Sequence, residues 1–225
     1  METIAWDSLG PITKILMNQL HYGALLFMIL AYAVKIKQLL AKPAASEGTP
    51  SRGDHDKAIR YAYLTLAMPW EIESQKQHPV RYLEFVGFHL AMAAGIGFAF
   101  ITPMAHEAMK HPAVVAVFQT MFGIGFVTGF SRLVRRVGKT EMRAISSPDD
   151  YFCLFLLAAW MLSGVLAAPL KDANWLFAYF ALATFFLVYV PFSKISHYVM
   201  WPFIRYYVGK HFGHRGVFPK KGTIV

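Results

Sequence analysis

The sequence is poor in cysteine and in charge. Cys153 is its one cysteine among 225 residues. A single thiol permits no intrachain disulfide. It also excludes the C-x-x-C-H attachment of a c-type haem and the thiolate sets that hold iron–sulfur clusters. Any redox cofactor bound here is therefore held without cysteine. Charged residues make up 16% of the chain against 56% hydrophobic, and mean hydropathy is +0.40. A soluble domain carries roughly a quarter charged residues, so the membrane class comes first. The first apolar run has no basic stretch ahead of it and is too long for a signal peptide, so it is expected to stay as a mature helix. Internal repeats are absent, which argues against the inverted-repeat transporters.

What is present is long apolar runs. A helix needs about 20 mainly apolar residues to cross a bilayer core. Five segments qualify, at roughly 12–34, 82–103, 113–131, 151–170 and 174–198. Lys and Arg divide unevenly between their flanks. Residues 35–81 carry eight, the stretch after the third segment carries five, and the part from Lys194 onward carries six. The opposite flanks hold only Lys14, Lys110 and Lys171. The net charge of +9 is thus a topology signal and not a nucleic-acid footprint. Positive-inside places the N-terminus outside and the C-terminus in the cytoplasm. The expectation is an all-α, integral membrane bundle of five transmembrane helices in one domain, 1–225. A flexible linker at 42–54 leads into a short amphipathic helix lying on the inner surface and broken near Pro69. Residues 199–225 are expected as a cytoplasmic tail.

Two histidines, His89 and His197, stand inside apolar runs. Ionisable groups in membrane helices are costly and usually face the bundle interior. His89 lies about 12 Å in from the cytoplasmic end of its segment, and His197 about 34 Å from the outer end of the fifth, at 1.5 Å per residue. On that count both belong to the cytoplasmic half, on antiparallel helices. Two imidazoles without cysteine suggest bis-histidine ligation of a non-covalent haem b in the bundle core. Its propionates need cations near the surface, for which Lys194, Arg132, Arg135 and Arg136 are candidates. Each imidazole can donate its other N–H to a carbonyl one turn back, fixing the tautomer. The alternative is that each histidine only hydrogen-bonds a neighbouring helix.

Local wording adds to this. "FHL" at 88–90, "TP" at 102–103 and "PFSKISH" at 191–197 resemble the gamma (cytochrome b) subunit of respiratory nitrate reductase. "MPWEIES" at 68–74 and "SSPDDYF" at 146–152 look closer to the cytochrome b subunits of transmembrane redox complexes of sulfate-reducing bacteria, including the high-molecular-weight cytochrome complex. The resemblance covers nearly all the chain. It implies haem b between the second and fifth helices, with His89 and His197 matching the ligands of the haem nearer the cytoplasm. The second haem of the nitrate reductase subunit has its ligands deeper in those helices, where this chain has Ala99 and Tyr179. One haem is expected. The resemblance further implies electron transfer between menaquinone and a cytoplasmic, heterodisulfide reductase-like iron–sulfur subunit in a bacterial inner membrane. Other membrane subunits and a periplasmic multihaem cytochrome c are implied partners. Such a subunit is not catalytic alone. The rival is a haem-free anchor that recruits a redox subunit.

Several residues remain. His21, in the outer half, is a quinone or second-haem candidate, or a plain helix–helix hydrogen bond. His106 and His111 read as a surface loop beside Glu107, and His211 and His214 as solvated tail residues. The glycines of 123–129 sit in an apolar helix without a preceding strand, so they read as close packing and not a nucleotide loop. Asp149 and Asp150 suit a helix N-terminus, and Glu84 is placed to pair with a nearby Arg or Lys.

Overall fold

The computed structural model describes Ile4, residues 6–43 and residues 46–219. Lys220 and Lys221, counted above in the basic C-terminal part, lie outside the described residues. The described residues are all-helical, without strands, and five helices are long and apolar enough to cross a membrane. These are α1 (Pro11–Leu40), the span containing α3 (Pro79–Met104), α4 (Pro112–Gly138), α5 (Pro148–Ala167) and a fifth, Ala173–Phe192, whose regular part is α6 (Ala173–Tyr189). The remaining long helices are α2 (His55–Leu64) and α7 (His197–His214). The chain is a multi-pass membrane protein.

Local chemistry sets the helix ends. Four of the five spans begin on proline, at Pro11, Pro79, Pro112 and Pro148. Proline's fixed φ suits the first helical position, where its missing N–H costs nothing. α5 stops short of the expected 170 because Pro169 follows, and Leu170 then takes a left-handed φ of 53°. A π turn over Leu16–Leu20 interrupts the start of α1, immediately before His21.

The largest departure is in the fifth segment. It was expected to run as one helix over 174–198, but it ends at Phe192. Pro191 cannot donate to the helical ladder and its ring crowds the preceding turn. Val190–Phe192 tightens into a 3-10 turn, Ser193 is extended at φ −105° and ψ 173°, and Lys194–Ser196 makes a second 3-10 turn. The Ser193 hydroxyl accepts from the Ile195 N–H at 3.2 Å. His197 is therefore the first residue of a new helix, and the depth counted along a continuous fifth helix does not apply to it.

The chain, expected as one domain, groups into two compact units. The first comprises Met1–Ala31 and Leu83–Ile195, the second Tyr32–Tyr82 and Ser196–Val225. The first unit packs α3, α4, α5 and α6 around Phe98, Phe122, Tyr179 and Phe180, none of them exposed. Glycines make the close approaches. A Cβ on Gly125 would lie 2.7 Å from both the Ala91 methyl and the Met161 sulfur, and one on Gly164 would lie 2.9 Å from the Phe122 ring. Gly125 and Gly129 thus serve packing, while nothing lies within 4 Å of a Cβ on Gly123.

The second unit is built on the α2–α7 pair. Asp54 caps α2, accepting from the N–H groups of Asp56 at 2.9 Å and Lys57 at 3.1 Å. Ala58 and Ala62 are fully buried, and Gly209 and Gly213 of α7 meet this face. A Cβ on Gly209 would lie 2.5 Å from the Ile59 Cα, and one on Gly213 would lie 2.6 Å from the Ala58 Cβ. Two expectations change here. The small-residue face of the amphipathic helix packs on α7 and is not left for the membrane surface, and most of the expected tail is helix. The break near Pro69 is present, with 3-10 turns at Thr65–Ala67 and Pro69–Glu71.

Candidate functional site

His89 lies nearly three turns into α3, which starts at Pro79, and is half-buried. Its Nδ1 is 2.7 Å from the Phe85 carbonyl oxygen, four residues back. A carbonyl can only accept, so Nδ1 carries the proton and the ring's lone pair is on Nε2. This is the tautomer of an imidazole that ligates a metal through Nε2 with its second nitrogen held by the backbone. The Phe85 ring lies against the imidazole, centroids 4.2 Å apart, and the Phe88 ring meets it edge-on at 5.8 Å. Helix periodicity alone generates the whole constellation, since i and i−4 share a face.

His197 starts α7 and is exposed. Its chain neighbours are fixed within the second unit. The Ser196 and Tyr32 hydroxyls are 3.1 Å apart, and the Tyr32 and Tyr198 rings meet edge-on at 6.1 Å. Tyr63 donates to the Pro202 carbonyl at 2.6 Å, holding the next turn of α7.

The four cations named from the sequence differ in their surroundings. Arg135 makes a two-pronged pair with Glu84, at 2.7 and 3.4 Å. Arg136 donates to Ser146 at 2.7 Å and lies 3.8 Å from Asp150. The Lys194 ammonium reaches Asp150 at 2.6 Å and Ser147 at 2.8 Å. Asp150 in turn accepts from the Ser147 N–H at 2.8 Å, reaching back across the first turn of α5. The neighbouring Asp149 accepts from the Tyr189 hydroxyl. Arg132 instead lies over the Phe88 ring, its guanidinium carbon 4.7 Å from the centroid.

Deeper along α3 and α6, the first unit is filled with side chains. Ala99 is 2% exposed and Tyr179 is fully buried, donating to the Gly95 carbonyl at 2.5 Å. The Trp160 ring stacks on Tyr179 at 5.6 Å, and Phe98 meets it edge-on at 5.1 Å. His21 is 1% exposed, with Nδ1 3.1 Å from the Thr184 hydroxyl of α6. That is the helix–helix hydrogen bond offered as its simpler reading. Its Nε2 is buried beside the rings of Phe100 and Phe180, without a hydrogen-bond partner among the described residues.

The outlying histidines are engaged locally. His106 and Lys110 both reach Glu107, at 3.1 and 2.6 Å, and the Lys110 ammonium holds that carboxyl below its ordinary range. The His111 ring accepts from the Ala113 N–H at 3.3 Å, capping α4. His211 and His214 are not a solvated tail. They lie on α7, facing Glu47 at 3.3 Å and the Thr49 carbonyl at 2.7 Å. Among the described residues no cluster of three or more His, Cys, Asp or Glu is placed to hold a metal ion.

The α2–α7 contact was missed in the sequence although its signal was there. Gly209-x-x-x-Gly213 and Ala58-x-x-x-Ala62 are small residues at helical spacing, the pattern that lets two backbones approach. The tie from Tyr32 to Ser196 joins residues 164 positions apart and has no local signal.

Comparison with known proteins adds little to this geometry. A protein of Nitratidesulfovibrio vulgaris, strain Hildenborough, described only as "Protein", is 28% identical over 143 residues, 61% of this chain. The match spans 63% of that relative's length, less than two thirds. No protein-family model matches. No solved structure matches.

Proposed function

We propose that this chain is the haem b-bearing membrane subunit of a respiratory redox complex, with His89 and His197 as axial ligands. In that role it passes electrons between the quinone pool or partner subunits and a cytoplasmic iron–sulfur subunit. The observation that carries the reading is the 2.7 Å hydrogen bond from His89 Nδ1–H to the Phe85 carbonyl. It places the lone pair on Nε2 and locks the ring's rotation, which is what an axial ligand requires. A bound haem supplies one-electron chemistry at its iron. The protein's part is to present the imidazole, neutralise anionic groups and exclude water. Phe85 and Phe88 line the imidazole with apolar surface. Ala99 and Tyr179 stand where the resembling family has its second ligand pair, and both are packed among side chains, which supports one haem. We further propose an N-terminus outside, a cytoplasmic C-terminus and a bacterial inner membrane. The proposed partners are a heterodisulfide reductase-like subunit, menaquinone and a periplasmic multihaem cytochrome c.

One observation favours the second reading, a haem-free membrane anchor for a redox subunit. The fifth span ends at Phe192, ahead of His197. The test is a reduced-minus-oxidised spectrum of the purified full chain from haem-replete cells, with a pyridine haemochrome assay. The expected result is a b-type signal at about one haem per chain, lost in His89→Ala and in His197→Ala. A folded, haem-replete preparation without the signal establishes the anchor. A full haem complement in His197→Ala removes that residue as a ligand.

A further inference from the structure

The four cations named from the sequence differ in one respect that the sequence does not show. Three have acidic partners: Arg135 has Glu84, and Arg136 and Lys194 share Asp150. Arg132 is half-buried and, among the described residues, makes no direct ion pair or hydrogen bond to a carboxylate; Glu84 lies near enough to be felt electrostatically, but its oxygens are taken by Arg135. The Phe88 ring lies beneath the Arg132 guanidinium at 4.7 Å, seated on α4 where Gly129 has no side chain, and a Cβ there would meet the ring at 3.1 Å. A cation on an aromatic face keeps its in-plane N–H donors available. Arg carries five such donors in a fork that matches an oxyanion. The same Phe88 ring touches the His89 imidazole edge-on at 5.8 Å. Arg132, Phe88 and His89 thus form one continuous stack across the α3–α4 contact, with unfilled donors at the Arg132 end.

We propose that Arg132 is the anion-binding residue of the His89 site. It takes an oxyanion, committed here to a propionate carboxylate of the tetrapyrrole, while Arg135, Arg136 and Lys194 serve the protein's own carboxylates. This rests on the haem reading above. Glu84 sharpens the assignment, because both of its oxygens take hydrogen bonds from Arg135, so its attraction for Arg132 is through space only and leaves the Arg132 N–H fork to another oxyanion. A lipid phosphate offers the same chemistry, and the experiment separates the two.

The measurement is an equilibrium redox titration of the b-type signal, with haem per chain, in wild type, Arg132→Gln, Arg136→Gln and Lys194→Gln. Arg132→Gln is expected to fold, since it breaks no contact to a protein acceptor. Its midpoint potential should fall, because an uncompensated carboxylate near the iron favours the ferric state. Arg136→Gln and Lys194→Gln should titrate close to wild type. Reconstitution with the dimethyl ester of the haem should abolish the difference between Arg132→Gln and wild type. A wild-type potential and haem content in Arg132→Gln overturns the assignment. So does an effect that survives esterification, or one seen in phosphatidylglycerol nanodiscs and absent in uncharged detergent, which identifies a lipid phosphate. Wild type without haem defeats the haem reading itself, and this inference with it.

Discussion

Gly209→Ala tests the closeness of α2 and α7. The new Cβ would lie 2.5 Å from the Ile59 Cα, 2.9 Å from the Ala58 carbonyl oxygen and 3.0 Å from the Ile59 nitrogen. All three are backbone atoms, so no side-chain rotation relieves them. Carbon atoms rest at about 3.5–4.0 Å, so the helices must separate by roughly 1 Å at this level. Overpacking of this kind costs about 1–3 kcal/mol, and a backbone clash belongs at the upper end. Alanine recovers about 1 kcal/mol of helix propensity relative to glycine. The net expectation is a loss of about 2 kcal/mol, which is roughly 30-fold in the opening equilibrium. Amide hydrogen exchange over residues 55–64 and 197–214 in detergent reads this directly. The paired control is Gly23→Ala in α1, where nothing lies within 4 Å of the added methyl. That change is expected to be neutral or to stabilise by up to about 1 kcal/mol. Unchanged or slower exchange in Gly209→Ala would refute the close backbone contact.

Three further outcomes follow from the contacts. Glu84→Gln and Arg135→Gln each leave a partly buried charge unpaired and should each cost about 1–3 kcal/mol. The double variant should cost less than their sum, and a double-mutant cycle on thermal stability measures the coupling. Tyr179→Phe removes the hydroxyl that donates to Gly95 and should cost about 1 kcal/mol while leaving haem per chain unchanged. A drop in haem content there would mean that the packed half takes part in cofactor binding. Glu47 is held below its ordinary 4.5 by the Arg215 hydrogen bond. Its contribution is therefore complete above 4.5 and is lost as pH falls through the lower folded value. Exchange over residues 46–54 should quicken through that acid range in wild type, and should be fast and flat there in Glu47→Gln.

The spans were legible because lipid leaves the backbone no partner but itself, so length and hydropathy suffice to find a crossing helix. Their starts fall on the prolines at 11, 79, 112 and 148, a signal that the hydropathy bounds at 12, 82, 113 and 151 leave unused. The fifth span was overrun because an averaged hydropathy reads past Pro191 into "FSKIS", where a single missing N–H ends the helix. α7 reads as a tail in the sequence because Arg205, Lys210, His211 and His214 break up its apolar residues. Its stability lies in the glycine contacts with α2 and not in an apolar stripe. The charges near the site were legible as charges, but their pairing was not. Glu84 and Arg135 are 51 residues apart, and Asp150 and Lys194 are 44 apart.

The two histidines separate along the same line. Everything that sets the His89 tautomer lies within one turn of its own helix, so the sequence reading and the structure agree on Nδ1–H to a carbonyl four residues back. His197 sits at the start of a helix. It is the first residue of α7, preceded by a 3-10 turn, and its neighbours are fixed by Tyr32 through contacts spanning more than 160 residues. The turn that carries His197 is held by the Tyr32–Ser196 hydroxyl contact and the edge-on Tyr32–Tyr198 ring contact. The His89 imidazole is thus set by its own helix, and the turn that carries His197 by tertiary contact. Loss of the α2–α7 packing should then disturb the His197 side while leaving the Phe85–His89 hydrogen bond intact, because that bond needs only α3 to be helical.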